Sequence, residues 1–207
     1  MARVKICGIT NLEDALVSVE AGAFALGFNF YPRSSRYIDP QSARAIIAQL
    51  PTSVLNVGVF VNEATPDSVA RLADAAGVSA IQLHGDESPD YCLALKDRYV
   101  IKAIRIDSGF SPDRGLKYET QAILLDAFSG EAYGGTGQTI DWSLALRTRD
   151  LVPRLFLAGG LSPENVVEAI AKVGPYAVDA CSCLESSPGR KDAARVRAFV
   201  SAAQTKC

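Results

Sequence analysis

Eight short apolar runs alternate with stretches of helical periodicity along this chain, and no other feature restricts its fold as much. The runs are RVKIC (3–7), FALGF (24–28), VLNVGVF (54–60), AIQLH (80–84), YVIKAIRI (99–106), AILLDAF (122–128), LFLAG (155–159) and AVDAC (177–181), each too short for a helix. Between them NLEDALVSVEAG, SARAIIAQL, DSVARLADAAG and PENVVEAIAKVG carry apolar residues at helical spacing, with Gly22, Gly77 and Gly174 near their ends as stop signals. DPQS (39–42), TPDS (65–68), SPDY (88–91), SPDR (111–114) and SPEN (162–165) each set a capping side chain before a proline. That order suits a helix start, because proline takes the first helical position where no amide donor is lost.

Strict strand–helix alternation implies a parallel sheet, and eight units in 207 residues lie at the short end for a (β/α)8 barrel. The competing open doubly wound sheet would carry G-x-G-x-x-G after its first strand; here KIC is followed by GIT. The expectation is a single-domain α/β TIM barrel over residues 1–207, with the fifth helix, inside 107–121, short or irregular.

Composition narrows the function. Net charge is −2, and no basic cluster is interleaved with aromatics, so the footprint of a nucleic-acid binder is missing and a small-molecule ligand is expected. Glu20 interrupts the most apolar early segment, so no stretch reaches the roughly 20 apolar residues of a membrane span. The N-terminus lacks the apolar core of a signal peptide, which points to the cytoplasm. Five cysteines, Cys7, Cys92, Cys181, Cys183 and Cys207, are an odd number without an export signal, so free thiols are expected.

Barrel enzymes carry their reactive groups at the C-terminal ends of the strands. Strand alternation sets Lys5 and Cys7 on one face, opposite Val4 and Ile6. Likewise Gln82 and His84 share a face on strand 4, Leu124 and Asp126 on strand 6, and Ala177 and Asp179 on strand 8. A thiol, the single histidine and two carboxylates thus converge on one rim. A cysteine or histidine at a strand end can serve packing alone, but an acid closing an apolar run is costly to bury without a partner.

Glycine-rich loops add a second constellation: YGGTGQTIDW (133–142), AGGLSPEN (158–165) and CSCLESSPGRKD (181–192) follow strands 6, 7 and 8. Small residues let backbone amides approach an oxyanion, and the loops after strands 7 and 8 commonly hold phosphate in this fold. Arg33 and Arg36, in YPRSSRYI (31–38) after strand 2, offer guanidinium groups for a bidentate pair with a carboxylate.

KICGIT, FNFYPRSSRYI, VGVFVN, IQLHGDES, LLDA, GGTGQTIDW, LAGGLSPENV and SSPGRKD, in that order and nearly end to end, resemble the phosphoribosylanthranilate isomerase family of tryptophan biosynthesis. The resemblance implies an Amadori rearrangement of N-(5-phosphoribosyl)anthranilate with no cofactor and no metal. It implies that Cys7 is the general base and Asp126 the general acid, that Arg36 grips the anthranilate carboxylate, and that Gly135, Gly159, Gly160 and Ser182 lie at the phosphate. Asp179 and His84 would support them on the rim. The chain is expected as a monomer or homodimer.

One departure stands out. The family usually reads like DVSSGVE after strand 8, whereas this chain has DACSCLE (179–185): Cys181 stands for a serine and Cys183 for a glycine in the phosphate loop. A side chain at a glycine position restricts positive φ, which puts phosphate affinity in question. Strands 8 and 1 adjoin in a closed barrel, so Cys181 or Cys183 is also expected to approach Cys7. Two other readings share parts of this pattern: a histidine-pathway isomerase of the same fold, whose family uses aspartate where Cys7 stands, and a non-catalytic phosphate-binding barrel or a metal protein built from Cys7, His84, Cys181 and Cys183.

Overall fold

Alternation along each strand sorts side chains into two environments, and the computed structural model, which describes residues 2–127 and 142–205, shows both. Val4, Ile6, Leu26, Phe28, Ile81, Leu83, Leu125, Leu157 and Val178 point outward into a layer shared with the helices. Ala25, Val57, Ala80, Ile101, Ala122, Leu124, Phe156 and Ala177 fill the interior of the barrel. Each fully buried aliphatic or aromatic side chain contributes about 1.5–3 kcal/mol relative to exposure, so the outer layer fixes each helix to its strand pair.

The strands are β1 (Arg3–Cys7), β2 (Ala25–Asn29), β3 (Leu55–Phe60), β4 (Ala80–Leu83), β5 (Tyr99–Ile106), β6 (Ala122–Ala127), β7 (Leu155–Leu157) and β8 (Ala177–Ala180). They pair in chain order as a closed barrel, and β1 meets β8 in parallel with Lys5 opposite Asp179 and Ile6 opposite Ala180. The helices are α1 (Leu12–Glu20), α2 (Pro40–Ile47), α3 (Pro66–Ala76), α4 (Pro89–Leu93), α5 (Trp142–Arg149), α6 (Val166–Val173) and α7 (Ala193–Gln204). The (β/α)8 expectation holds. The fifth unit is irregular as expected, since a 3-10 helix (Pro112–Lys117) stands between β5 and β6.

Caps explain where most helices begin. Asp39 accepts from the amides of Gln41 and Ser42, Thr65 forms a reciprocal capping box with Ser68, and Ser88 accepts from Tyr91 N. SPEN behaves otherwise. Ser162 lies in a turn whose amide donates to Asn165 Oδ1, and the helix starts only at Val166. The turn satisfies the local donors, and the first helical position falls three residues after the proline.

The loop that the sequence places after β8 has secondary structure of its own, which the sequence reading did not foresee. A short 3-10 turn (Ser182–Leu184) leads into an antiparallel hairpin of β9 (Glu185–Ser187) and β10 (Arg190–Lys191). Gly189 makes its bend at φ 79°, and its carbonyl accepts from the Thr10 hydroxyl. The hairpin thereby folds back over the β1 end of the barrel. At the opposite mouth Arg3 lies over the Phe24 and Tyr176 rings, 5.5 and 4.4 Å from their centroids. Among the described residues no helix is long and apolar enough to cross a membrane.

Candidate active site

Lys5 and Cys7 both face the lumen of β1, and the lysine is wholly buried. Its Nζ donates to Asp179 Oδ2 at 2.9 Å, while Asp179 Oδ1 is buried with no partner. Burial pushes the Asp179 carboxyl up to about 7, against the pull of Lys5 and with the added repulsion of Cys7. Asp179, read from the sequence as a rim residue in support, is therefore mainly the counter-ion of Lys5, one layer beneath the thiol.

Cys7 sits partly exposed above that pair. A hydrogen bond from Cys181 holds its thiol well below the ordinary range; burial opposes this, and the charges of Lys5 and Lys191 reinforce it. The same bond drives the Cys181 thiol well above its ordinary value. The two shifts are opposite, and their direction favours ionisation of Cys7 over Cys181. Cys181 is held in turn by its neighbours: Lys191 Nζ lies 3.8 Å from its sulfur and 3.2 Å from its carbonyl oxygen.

On the other side of the lumen His84 Nε2 is 3.2 Å from Asp126 Oδ2, and His84 Nδ1 is 2.7 Å from the Gln82 amide nitrogen. An amide nitrogen only donates, so Nδ1 accepts and the ring proton sits on Nε2, directed at Asp126. His84 follows directly on β4, in a turn clamped from outside the barrel. There the buried Lys102 ammonium donates to the carbonyls of Leu83 and Gly85 at 3.3 and 2.7 Å and to Glu87 at 2.6 Å.

Arg36 reaches the rim from the loop after β2. Its Nε donates to both Glu185 oxygens at 3.2 Å and its Nη2 to Oε2 at 2.7 Å. Glu185 also takes Lys191 Nζ at 3.0 Å, and its side chain is 4% exposed. Burial alone would raise the Glu185 carboxyl, yet Arg36 and Lys191 hold it below its usual value. Glu185 and Lys191 were missed by the sequence reading, which quoted their motifs without singling them out. The available signal was the proline–glycine bend of SSPGRK, which returns Lys191 to β9.

Gly159 and Gly160 follow β7 with φ 89° and 71°, conformations that favour glycine. Asn165 braces their loop by donating to the Gly160 carbonyl at 3.0 Å. Among the described residues the backbone amides of Gly159, Gly160 and Ser182 have no acceptor. Gly135, in the loop after β6, lies outside the described residues. Also among the described residues, no three His, Cys, Asp or Glu side chains form a metal cluster.

Residues 4–202 match the family model described as N-(5'phosphoribosyl)anthranilate (PRA) isomerase. The chain belongs to the phosphoribosylanthranilate isomerase family. It is 53% identical over 200 residues to N-(5'-phosphoribosyl)anthranilate isomerase of Geobacter sulfurreducens, with 97% of each chain covered. Its fold is similar to the crystal structure of phosphoribosyl anthranilate isomerase from Thermotoga maritima, at TM-score 0.92, 50% identity and 99% coverage of both chains. A further isomerase structure, in complex with reduced 1-(o-carboxyphenylamino)-1-deoxyribulose 5-phosphate, is similar at TM-score 0.88 and 47% identity, again over 99% of each chain.

The loop after β8 carries Cys183 at the position that the sequence reading compared with a glycine of the phosphoribosylanthranilate isomerase family. The concern that a cysteine would strain a glycine position does not arise in the backbone. Among the described residues Asn62 alone has a positive φ without being glycine, so Cys183 sits in an ordinary conformation. Its carbonyl accepts from Arg195 Nε at 2.6 Å, which ties the loop to α7.

Proposed function

We propose that Cys7 and Asp126 are the general base and general acid of an Amadori rearrangement, the isomerisation of N-(5'-phosphoribosyl)anthranilate that membership of this family gives the chain. The observation that carries the assignment is a thiol and a carboxyl set on opposite sides of one rim. Cys7 is a thiol held toward its thiolate, and Asp126 is a carboxyl anchored at one oxygen by His84, which leaves the other for the substrate.

The rearrangement needs two proton transfers. Asp126 delivers a proton to the furanose ring oxygen as the C1' bond to it breaks, and the anthranilate nitrogen forms a Schiff base with C1'. Cys7 then removes the proton from C2', and the resulting enolamine gives the ketone of 1-(2-carboxyphenylamino)-1-deoxyribulose 5-phosphate. With Oδ2 on His84, Oδ1 is the oxygen of Asp126 that reaches the substrate. A base whose ionised form is available at neutral pH and an acid oriented by hydrogen bonding each contribute about 10²–10⁴-fold to such a step.

Arg36 binds the anthranilate carboxylate through the guanidinium edge not taken by Glu185. Gly159, Gly160 and Ser182 bind phosphate through amides that have no acceptor among the described residues, in the manner of anion sites built from backbone N–H groups. Cys183, beside Ser182 in the same loop, contributes its backbone to that site, and Gly135 is assigned to it from the sequence alone. Lys5 and Asp179 act through Cys7 and position its charge.

Turnover, followed as loss of substrate fluorescence, tests the pair. Cys7→Ala and Asp126→Asn each lower kcat by at least about a hundredfold. A folded variant that keeps the wild-type kcat removes its residue from the mechanism.

A further inference from the structure

We propose that Cys7 and Cys181 form a reversible oxidation site, closing to a disulfide in the presence of hydrogen peroxide. Its effect on activity rests on Cys7 being the catalytic base; the formation of the bond does not.

The pair is set by the barrel seam. The ladder of β1 and β8 ends at Ile6 opposite Ala180, so Cys7 and Cys181 are the residues that follow directly on this last pair. Adjacent strands run about 4.8 Å apart, inside the Cα separation of about 4.4–6.8 Å that a disulfide accepts. The two thiols are close enough to shift one another's acidity in opposite directions. Glycines leave room around them. A Cβ on Gly27 would stand 2.7 Å from the Cys7 sulfur, and one on Gly8 2.9 Å from the Cys181 sulfur. Both cysteines are partly exposed at the rim, so a small oxidant reaches them.

The chemistry has a defined order. The Cys7 thiolate attacks one oxygen of hydrogen peroxide, giving a sulfenic acid and hydroxide, which takes up a proton to become water. The Cys181 sulfur then attacks the sulfenic sulfur, its proton leaving with the displaced hydroxide as a second water. Two thiols are oxidised by two electrons and one peroxide is reduced. Before oxidation the hydrogen bond to Cys7, burial and the Cys7 charge together favour the protonated form of Cys181. A sulfenic acid carries no such charge, so the first step removes that repulsion, and Lys191, 3.8 Å from the Cys181 sulfur, favours the thiolate needed for the second. A reactive, accessible thiolate beside a resolving cysteine is the arrangement of redox-responsive sites.

Other thiols fit less well. Cys92 is buried, its thiol pushed up to about 11. Cys183 lies beyond the seam, in a turn fixed by Arg195.

The full chain is treated with hydrogen peroxide, then analysed by intact mass, by peptide fragmentation and by turnover. The protein is expected to lose two hydrogens, with Cys7 linked to Cys181, and to lose activity in parallel, restored by dithiothreitol. Cys183→Ser is expected to form the same link. Cys181→Ser is expected to form none, and its activity loss to resist dithiothreitol, because Cys7 then proceeds to the sulfinic acid. Absence of the link, or a link to Cys183 instead, overturns the proposal. A Cys7–Cys181 link with activity intact upholds the oxidation site and overturns the assignment of Cys7 as base.

Discussion

Lys5 and Asp179 meet at 2.9 Å across the β1–β8 seam, sealed inside the barrel beneath Cys7. The cation lies on the same strand as the thiol and two residues before it, so one ion pair serves both the closure of the barrel and the charge of the rim. Its two members are not equivalent, because burial already favours the neutral form of Asp179 while Lys5 depends on its partner to stay charged.

Asp179→Asn leaves the buried ammonium with only Cys7 as its anionic neighbour and is expected to cost about 3–5 kcal/mol of stability. Lys5→Met costs less, since the carboxyl left behind takes up a proton. Urea denaturation of both variants at neutral pH checks the order; a larger loss for Lys5→Met would contradict it.

The same carboxyl gives stability a pH dependence. In the barrel Asp179 releases its proton at about 7, whereas an unfolded aspartate does so near about 3.9. Between those values the native state binds more protons than the unfolded one, so this group's contribution to stability falls as pH rises. Denaturation midpoints of the wild type and Asp179→Asn, compared from about pH 4 to about pH 7, should show the wild type declining relative to the variant. Parallel profiles would exclude the effect.

Arg36→Lys keeps a positive charge but loses the planar fork that engages Glu185 on one edge and the substrate carboxylate on the other. KM is expected to rise about tenfold or more with a smaller change in kcat, one missing charged hydrogen bond being worth about 1.5–3 kcal/mol. Steady-state kinetics separates the two parameters. An unchanged KM would place the carboxylate elsewhere.

Lys102→Met removes three bonds that pin the turn carrying His84 and strands Glu87, whose side chain is 2% exposed. The expected loss is about 3–5 kcal/mol, accompanied by a lower kcat because His84 no longer holds Asp126 firmly. Denaturation and turnover measured together test this; full activity at reduced stability would show that the clamp serves the fold alone.

The barrel was legible because its signals are local. Apolar runs and caps such as Asp39, Thr65 and Ser88 act within four residues, and the lumen-facing Cys7, His84, Asp126 and Asp179 follow from strand alternation alone. Ser162 misled for an equally local reason, since a serine before proline can close a turn as well as cap a helix. Glu185 and Lys191 were not legible. Their importance comes from a hairpin that folds across the first strand, and strand periodicity carries no information about which distant side chains such a fold brings together.

The closing seam also has a temporal meaning. Lys5 and Asp179 are 174 residues apart in the chain, and Lys191 comes later still. Cys7 is synthesised long before Cys181 and Lys191, two of the groups that favour its thiolate. The thiol therefore lacks these partners until the last strand docks, and its full reactivity arises only then.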